Sequence, residues 1–349
     1  MKILIDINHP AHVHYFRNFI KIMEALGHSF VVTNRDDELI NYLLDFYKIE
    51  HITRNKRKNN AGSKFQTLLY LIKMTYYVWH HARREKVDAF LGFGSSSCAI
   101  SGFLLRKPSV ILDDTEHNHL NHSIYKRFAT VILTPFYFNK LIRKDQVTFD
   151  AYIEQLYLQK RDNKEKGNYI FIRFIAYSAG HDSKVNITEL EEKREKLITL
   201  LSKNHELIIS CEDDKLKEKY KSFQGNYKPE EMHEIMRKAQ LVISEGATMA
   251  SEAGIIGTPY IYTNPLMVGY IIEQEKNFNN CFILNYDKII DMYKQDPNFF
   301  TKKIKNNNNQ VYLNPTELLV WLFKDLSKHI KIIKGKNITA SFFQKIQKN

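Results

Sequence analysis

The strongest candidate for a ligand site in this chain is Leu241–Tyr262, which reads as strand, loop of small residues, helix and strand. Thr248 is the predicted N-cap, and Gly257 and Pro259 end the helix. A helix that starts at the carboxyl end of a strand presents unpaired N–H groups, which favour phosphate. Glu252, one turn further on, is placed for a ribose hydroxyl. The alternative is an ordinary strand–helix–strand crossover. The candidate nucleotide-binding residues of the loop are Ser244, Glu245, Gly246, Ala247, Thr248 and Met249.

Acids and histidine follow the apolar run 109–112 as Asp113, Asp114, Glu116 and His117. Such a cluster at one strand end can hold a sugar, supply a general base or chelate a divalent ion. The chelating role is disfavoured, because no helical HxxxH pair with a third ligand accompanies it. We therefore predict no metal and no cofactor apart from the substrate itself.

Two further strand ends carry polar candidates. His12 opens a predicted helix after the first apolar run, where a base or a phosphate partner is expected, and His9 precedes it. The alternative for His12 is a capping or surface role. Gly94, Ser95 and Ser96 follow the run 89–93 and offer backbone and hydroxyl donors. A GxGxxG fingerprint is absent from both loops, which weakens the case for dinucleotide redox chemistry.

Cationic and imidazole side chains follow the apolar run 169–172 as Arg173 and His181. Arginine at this position would be a good diphosphate partner. A surface salt bridge is the alternative for Arg173.

Composition limits the class of protein. Hydrophobic residues make up 44% of 349 residues, and the three cysteines lack CxxC spacing, so disulfide and cysteine–zinc scaffolds are disfavoured. We predict no signal peptide and no membrane-spanning segment. The net charge of +12 suits anionic lipid, nucleotide or nucleic acid and does not choose among them.

Strand and helix patterns alternate twice along the chain, which indicates an α/β fold of parallel, doubly wound sheets. The first series includes a helix over about 12–26 and its last strand at 131–133. The second ends with a helix over 315–330. We predict an N-terminal domain over residues 1–160, a C-terminal domain over 168–330 and a tail over 331–349.

Four segments resemble the family DUF354, whose relatives include GT-B glycosyltransferases and non-hydrolysing UDP-N-acetylglucosamine 2-epimerases. They are DINHPAHVHYFRNFI, DDTEH, RFIAYSAGHD and SEGATMASEAGIIGTP, so the resemblance spans about residues 1–270. It implies a GT-B-like fold of two Rossmann-like domains facing across a cleft, with a nucleotide-sugar held mainly by the second. By the same similarity, Gly246, Ala247, Thr248 and Met249 bind diphosphate and Glu252 binds ribose.

The first domain departs from the transferase pattern at one loop. His12 falls where MurG-like transferases carry a proposed catalytic histidine, but residues 8–11 read Asn-His-Pro-Ala in place of their glycine-rich loop. Contacts from that loop to phosphate or acceptor are therefore not carried over.

The function expected from these observations is nucleotide-sugar-dependent glycosyl transfer, inverting and independent of metal, in cell-surface polysaccharide or glycolipid biosynthesis. The expected acceptor is a saccharide or a lipid-linked saccharide. A UDP-sugar 2-epimerase and a non-catalytic nucleotide-sugar-binding protein are the alternatives. We expect a cytoplasmic protein without a nucleic-acid partner. The helix over 65–84, apolar at one end and basic at the other, is predicted to touch anionic membrane at its inner face, or else to pack inside the fold.

Overall fold

The computed structural model describes residues 1–54, 64–159, 166–177, 186–302 and 312–348. The chain divides into two compact units. The N-terminal unit is Met1–Tyr157 with Val311–Asn349, and the C-terminal unit is Leu158–Gln310. Each unit has a parallel sheet with connecting helices, which confirms the predicted α/β class with two Rossmann-like units.

Eight strands among the described residues form the N-terminal sheet, in the order β13-β7-β6-β5-β4-β1-β2-β3. Neighbouring strands are parallel throughout, and the central strands are almost fully buried. Their bounds are β1 Lys2–Ile7, β2 Ser29–Arg35, β3 His51–Arg54, β4 Ala89–Phe93, β5 Ser109–Leu112, β6 Val131–Pro135, β7 Val147–Phe149 and β13 Asn337–Ile338. The prediction that residues 131–133 are the last strand of this half was wrong, since β7 and β13 extend the sheet.

The first helix shows why these residues fold as they do. Pro10 occupies its first turn, where no N–H is needed, and the His9 ring caps it by accepting from the Ala11 N–H. The helix therefore starts two residues before the predicted His12. The helices of this unit are α1 Pro10–Ala25, α2 Glu38–Phe46, α3 Lys64–Arg84, α4 Ser96–Leu105, α5 His119–Phe128, α13 Pro315–Lys324, α14 Leu326–Ile333 and α15 Ala340–Gln347.

The C-terminal segment packs with the N-terminal unit, so the predicted domain over 168–330 and separate tail over 331–349 were wrong. Phe323 of α13 meets Phe19 of α1 with ring centroids 5.1 Å apart, and β13 pairs with β7. The predicted single helix over 315–330 is two helices, because Asp325 leaves the helical conformation and caps α14. Buried apolar side chains on α13 therefore complete the first core.

The C-terminal unit has a sheet of five strands among the described residues, in the order β12-β11-β10-β8-β9. Its strands are β8 Tyr169–Phe174, β9 Glu206–Cys211, β10 Leu241–Ser244, β11 Tyr260–Tyr262 and β12 Cys281–Ile283. Its helices are α6 Ile187–Leu201, α7 Asp214–Lys219, α8 Met232–Lys238, α9 Ala247–Ile256, α10 Gly269–Asn277, α11 Tyr286–Gln295 and α12 Phe299–Lys302. Gly257, at φ +86°, ends α9 as predicted.

Candidate functional site

The strand order of each sheet reverses direction at one point, and ligands of open α/β sheets bind beside such a point. In the N-terminal sheet β2 lies on one side of β1 and β4 on the other, so the reversal falls between β1 and β4. In the C-terminal sheet it falls between β8 and β10. The predicted site residues follow these strands and their neighbours.

A buried ion pair organises the end of β1. Asp6 is 1% exposed, and its carboxylate accepts from Arg54 at 2.7 Å, Thr33 at 2.8 Å, Asn8 at 2.8 Å and Ser95 at 3.1 Å. These donors come from the ends of three strands and from the cap of α4. Since the carboxylate is saturated, Asp6 holds the sheet edge together and does not itself bind a ligand.

His12 lies on the first turn of α1 and is nearly buried, with its ring 4.9 Å from that of Phe93. Its Nδ1 accepts the backbone N–H of Asn8 at 3.4 Å. The pKa of His12 lies well below its ordinary value, first because the ring is buried and then because His9 and Arg35 repel a positive charge. At neutral pH the ring is therefore uncharged. A carboxylate on Nδ1, the usual support of a histidine base, is replaced here by a backbone donor.

The loop after β4 is also used to build the sheet edge. Gly94 has φ +53°, a conformation that favours glycine. Ser95 is the N-cap of α4, accepting from the Cys98 N–H while donating to Asp6. Ser96 is buried and donates to Asn121 at 3.0 Å. The two hydroxyls predicted as ligand donors thus have partners within the protein.

Asp113, directly after β5, is buried and has protein partners on both oxygens. It accepts the Tyr125 hydroxyl at 2.6 Å and the Thr115 N–H at 2.8 Å, and His122 Nε2 lies 3.4 Å away. Tyr125 and His122 both come from α5. Asp113 therefore fixes α5 against the sheet, and neither partner was among the predicted site residues.

Asp114 differs from its neighbour because the residue is only half-buried. Burial, and secondly the adjacent charge of Asp113, raise the pKa of Asp114 to about 7, while the Thr115 hydroxyl opposes this shift. A carboxyl group that titrates near neutral pH is suited to proton transfer. Among the predicted acids it has the environment of a general base.

Glu116 and His117 lie beyond the strand end in a different arrangement. The Glu116 carboxylate accepts the Asn139 N–H at 2.8 Å, and its carbonyl accepts from Lys140. Glu116 thus ties this loop to residues 139–140. His117 is exposed. Their catalytic roles stay predictions.

The C-terminal reversal point is where α9 begins. Gly246 is its N-cap, so the predicted Thr248 cap was wrong by two residues; Thr248 lies within the first turn. No side chain of the described residues caps α9, and its first turn carries no acid. The Ser244 hydroxyl stays within the loop, donating to the Gly246 carbonyl at 2.7 Å. Gly246 and the three residues after it, Ala247, Thr248 and Met249, are partly exposed. This helix start fits an anionic oxygen well.

Glu245, predicted to contact the nucleotide, is instead saturated by protein donors. Arg194 of α6 donates twice, at 2.8 and 2.6 Å, Tyr286 donates at 2.5 Å, and the Ile175 N–H at 2.9 Å. These four bonds take up the hydrogen-bonding capacity of the carboxylate, which is 1% exposed. Glu245 therefore positions the loops after β8 and β10.

The Arg173 guanidinium contacts β9 and the residue that follows it. It donates to Ser210 at 2.8 Å and to Glu212 at 3.0 Å. Its diphosphate role stays a prediction, and Glu212 would share the guanidinium with any phosphate. His181 lies outside the described residues.

Glu252 is 6% exposed and lies 3.1 Å from His233 of α8. The pair joins α8 to α9 one turn beyond the uncapped helix start. Sequence reasoning did not find His233, because the two residues belong to different helices. A carboxylate held in this way is pre-oriented to accept a hydroxyl.

A cavity of about 370 Å³ lies beside the same loops in the C-terminal unit. Asn264 belongs to its wall and also donates to the Glu245 carbonyl at 3.0 Å. The N-caps of α6 and α11, Asn186 and Asn285, line it as well. Residues after β11 and β12 thus border the predicted nucleotide loop, a feature absent from the sequence-based expectations.

The described ranges contain no group of three histidine, cysteine or acidic side chains arranged to hold a metal ion. That no metal and no separate cofactor take part stays a prediction.

Sequence comparison supports the predicted resemblance in the first half of the chain. Residues 1–144 match the model of DUF354, a protein of unknown function. An uncharacterised protein of Methanocaldococcus jannaschii is 21% identical over 305 residues, which is 79% of this chain and 86% of the relative. The resemblance is confirmed over the matched residues.

Solved structures share the fold across nearly the whole chain. The UDP-GlcNAc 2-epimerase of Neisseria meningitidis, bound to UDP-GlcNAc, has a TM-score of 0.67 at 13% identity over 93% of this chain and 100% of that one. The UDP-GlcNAc 2-epimerase of Methanocaldococcus jannaschii, in complex with UDP-GlcNAc and UDP, has a TM-score of 0.65 at 13% identity over 93% of this chain and 99% of that one. MurG of Acinetobacter baumannii has a TM-score of 0.58 at 15% identity over 93% of this chain and 99% of that one. The predicted GT-B-type fold is therefore confirmed.

Proposed function

We propose that the protein is a GT-B-type glycosyltransferase that uses a nucleotide-sugar, most simply a UDP-sugar, and inverts the anomeric centre without a metal. The observation that carries this proposal is the start of α9. There an uncapped helix N-terminus without acids lies at the reversal point of its sheet, one turn before Glu252. The UDP-GlcNAc held by two of the similar structures supports the choice of nucleotide.

The C-terminal unit is proposed to bind the nucleotide. The N–H groups that open α9 would hold the diphosphate and stabilise the charge that develops as it leaves. Glu252, oriented by His233, would accept a ribose hydroxyl. Glu245 and Arg194 would keep the loop in place without touching the ligand.

The N-terminal unit is proposed to supply the proton acceptor. Asp114 takes the proton from an acceptor hydroxyl, whose oxygen then attacks the anomeric carbon. The bond from that carbon to the diphosphate oxygen breaks, and the nucleoside diphosphate leaves with the electron pair. Asp114 is preferred over Asp113 because Asp113 is buried and committed to Tyr125. The pKa of Asp114, about 7, suits base catalysis near neutral pH.

The test is product analysis with a panel of UDP-, dTDP- and GDP-sugars, with and without saccharide acceptors. We expect transfer that needs an acceptor and falls about 10²–10⁴-fold in Asp114→Asn. The matched control is Asp88→Asn, because Asp88 directly precedes β4 at the opposite end of the sheet. Equal activity of Asp114→Asn and wild type would remove Asp114 from the mechanism.

A UDP-sugar 2-epimerase is the second candidate, because two of the similar structures are UDP-GlcNAc 2-epimerases with TM-scores above that of MurG. That activity would isomerise the sugar in the absence of an acceptor. Binding without either product would instead support a non-catalytic nucleotide-sugar-binding protein. The same product analysis separates all three.

The proposed acceptor is a lipid-linked saccharide in cell-surface polysaccharide or glycolipid synthesis. We also propose peripheral contact with anionic membrane at the cytoplasmic face. None of the helices in the described part of the chain is both long and apolar enough to span a bilayer. On α3, however, Leu68, Leu69, Ile72 and Tyr76 are exposed, and basic residues end the helix. An apolar face with a cationic end is suited to an anionic headgroup layer.

A further inference from the structure

The ring of His12 has a fixed orientation. It is 9% exposed, packs 4.9 Å from the Phe93 ring and stacks at 5.8 Å on Tyr15. One edge of the imidazole must therefore face the loop and the other must face away from it. The groups that these two edges meet determine which nitrogen carries the proton.

The edge that faces the loop meets the backbone of Asn8, which is held in place. The Asn8 side chain donates to Asp6 at 2.8 Å and accepts from Arg54, so both ends of the amide are tied to the buried ion pair. Its backbone N–H points to His12 Nδ1 at 3.4 Å. A nitrogen that accepts a hydrogen bond carries no proton, so the single proton of a neutral imidazole is on Nε2.

We infer that His12 is held as the Nε2–H tautomer and donates a hydrogen bond from Nε2 to an oxygen of the ligand bound at this edge of the N-terminal sheet. No described residue hydrogen-bonds to Nε2. Burial, with His9 and Arg35 nearby, keeps the ring uncharged by lowering its pKa. His12 is thus a donor in place of the predicted base, leaving proton removal to Asp114. The ligand, a hydroxyl or phosphate oxygen of the nucleotide-sugar or acceptor, rests on the proposed function; the tautomer does not.

The tautomer can be measured without any substrate. In protein labelled with ¹³C and ¹⁵N only at histidine, the ring carbon and nitrogen shifts distinguish Nε2–H, Nδ1–H and imidazolium. The resonance missing from His12→Gln identifies His12. We expect Nε2–H at pH 7. An Nδ1–H ring or an imidazolium would overturn the inference.

The donor role is tested with His12→Gln, His12→Asn and His12→Ala. A glutamine amide nitrogen can occupy the ε position as a donor, whereas asparagine reaches only the δ position. We expect nucleotide-sugar binding or turnover to fall about 10- to 100-fold in the alanine and asparagine variants and less than tenfold in the glutamine variant. Equal losses in the glutamine and alanine variants, at equal melting temperatures, would overturn the donor role. If wild-type protein binds no nucleotide-sugar, both the proposed function and the assigned ligand are rejected. The tautomer is tested separately by the spectrum.

Discussion

Each unit places a buried carboxylate–arginine pair where its strand order reverses, but the two pairs are connected differently. In the N-terminal unit Asp6 belongs to β1, and Arg54 binds it with a single nitrogen while also reaching Asn8. In the C-terminal unit Glu245 follows β10, and Arg194 binds it through two nitrogens. The first pair extends to Asn8 in the loop that precedes His12, whereas the second also binds the backbone of Ile175 and the hydroxyl of Tyr286.

This difference indicates how the two edges are used. A carboxylate bound through two arginine nitrogens holds two loops at a fixed distance, and it leaves the backbone N–H groups at the start of α9 for the proposed ligand. When the arginine of the pair also binds a loop side chain, as Arg54 binds Asn8, the pair fixes the position of that loop as well. Removing either arginine should therefore weaken its own unit, and by different amounts.

The largest effect is expected for Arg194→Met. It leaves Glu245 charged and buried without its main partner, which should cost about 3–5 kcal/mol of stability. Urea unfolding followed by far-UV circular dichroism measures it. Both tryptophans, Trp79 and Trp321, belong to the N-terminal unit, so their fluorescence reports that unit separately. Lys193→Met, which removes the surface ion pairs of Lys193 with Glu189 and Asp287, is the control and should change little. Equal effects of the two substitutions would contradict the prediction.

Arg54→Met should cost less, about 3 kcal/mol, because Asp6 keeps the hydrogen bonds from Thr33, Asn8 and Ser95. Here the tryptophan fluorescence transition should move. Arg35→Met is the matched control, since Arg35 pairs with Asp37 near the surface. A shift seen only by circular dichroism would place the damage in the wrong unit.

Glu252→Ala tests the proposed nucleotide site of the C-terminal unit instead of its buried pair. Nucleotide-sugar binding should weaken by about 1–3 kcal/mol without unfolding, because one charged acceptor is lost. Isothermal titration calorimetry measures the change. The control is Glu234→Ala on α8, whose carboxylate pairs with Arg237. Unchanged affinity in Glu252→Ala would exclude Glu252 from the site.

Asp114→Asn should raise the stability of the protein above neutral pH, whereas loss of either buried arginine should lower it. The folded pKa of about 7 exceeds the unfolded value of about 3.9, so the folded state binds more protons between them. The stability due to Asp114 is complete below about pH 4 and is lost as the pH rises to about 7. Asp114→Asn should thus be more stable than wild type at pH 8, by about 1–2 kcal/mol once partial exposure is allowed for. Denaturation at pH 5 and pH 8 checks this; a variant less stable at pH 8 would show that the carboxylate stabilises the fold.

The smallest effect concerns the surfaces of the two units. Flotation with anionic vesicles should be weak and salt-sensitive, and should fall a few-fold when Leu68 and Ile72 are both changed to serine. Ile187→Ser, at an exposed position of the C-terminal unit, is the control. Equal flotation on neutral and anionic vesicles, or none on either, would reject a role for this face of α3.

The sequence predicted the loops at the strand ends better than the partners of their side chains. Strand ends are local patterns, so the loops after β1, β5 and β10 could be found one by one. The partners in the buried pairs are 48 residues apart for Asp6 and Arg54 and 51 for Glu245 and Arg194. Nothing in the local pattern marks such a pairing, and Glu245 was therefore assigned to the ligand.

The missed elements have an equally physical cause. β7 has three residues and β13 has two, too few to show alternation or a buried run. A helix at α13 was predicted, but the apolar face of a helix does not specify its partner. Only contacts such as Phe19 with Phe323 assign it to the first core.

The return of residues 311–349 to the N-terminal unit affects how the protein is made. During synthesis the entire C-terminal unit is made before β13 and α13. Until then β7 is an unpaired sheet edge, and the α1 surface that meets α13 is uncovered. A ribosome that stops near residue 310 would therefore release a chain whose second half can fold while its first half remains exposed to aggregation.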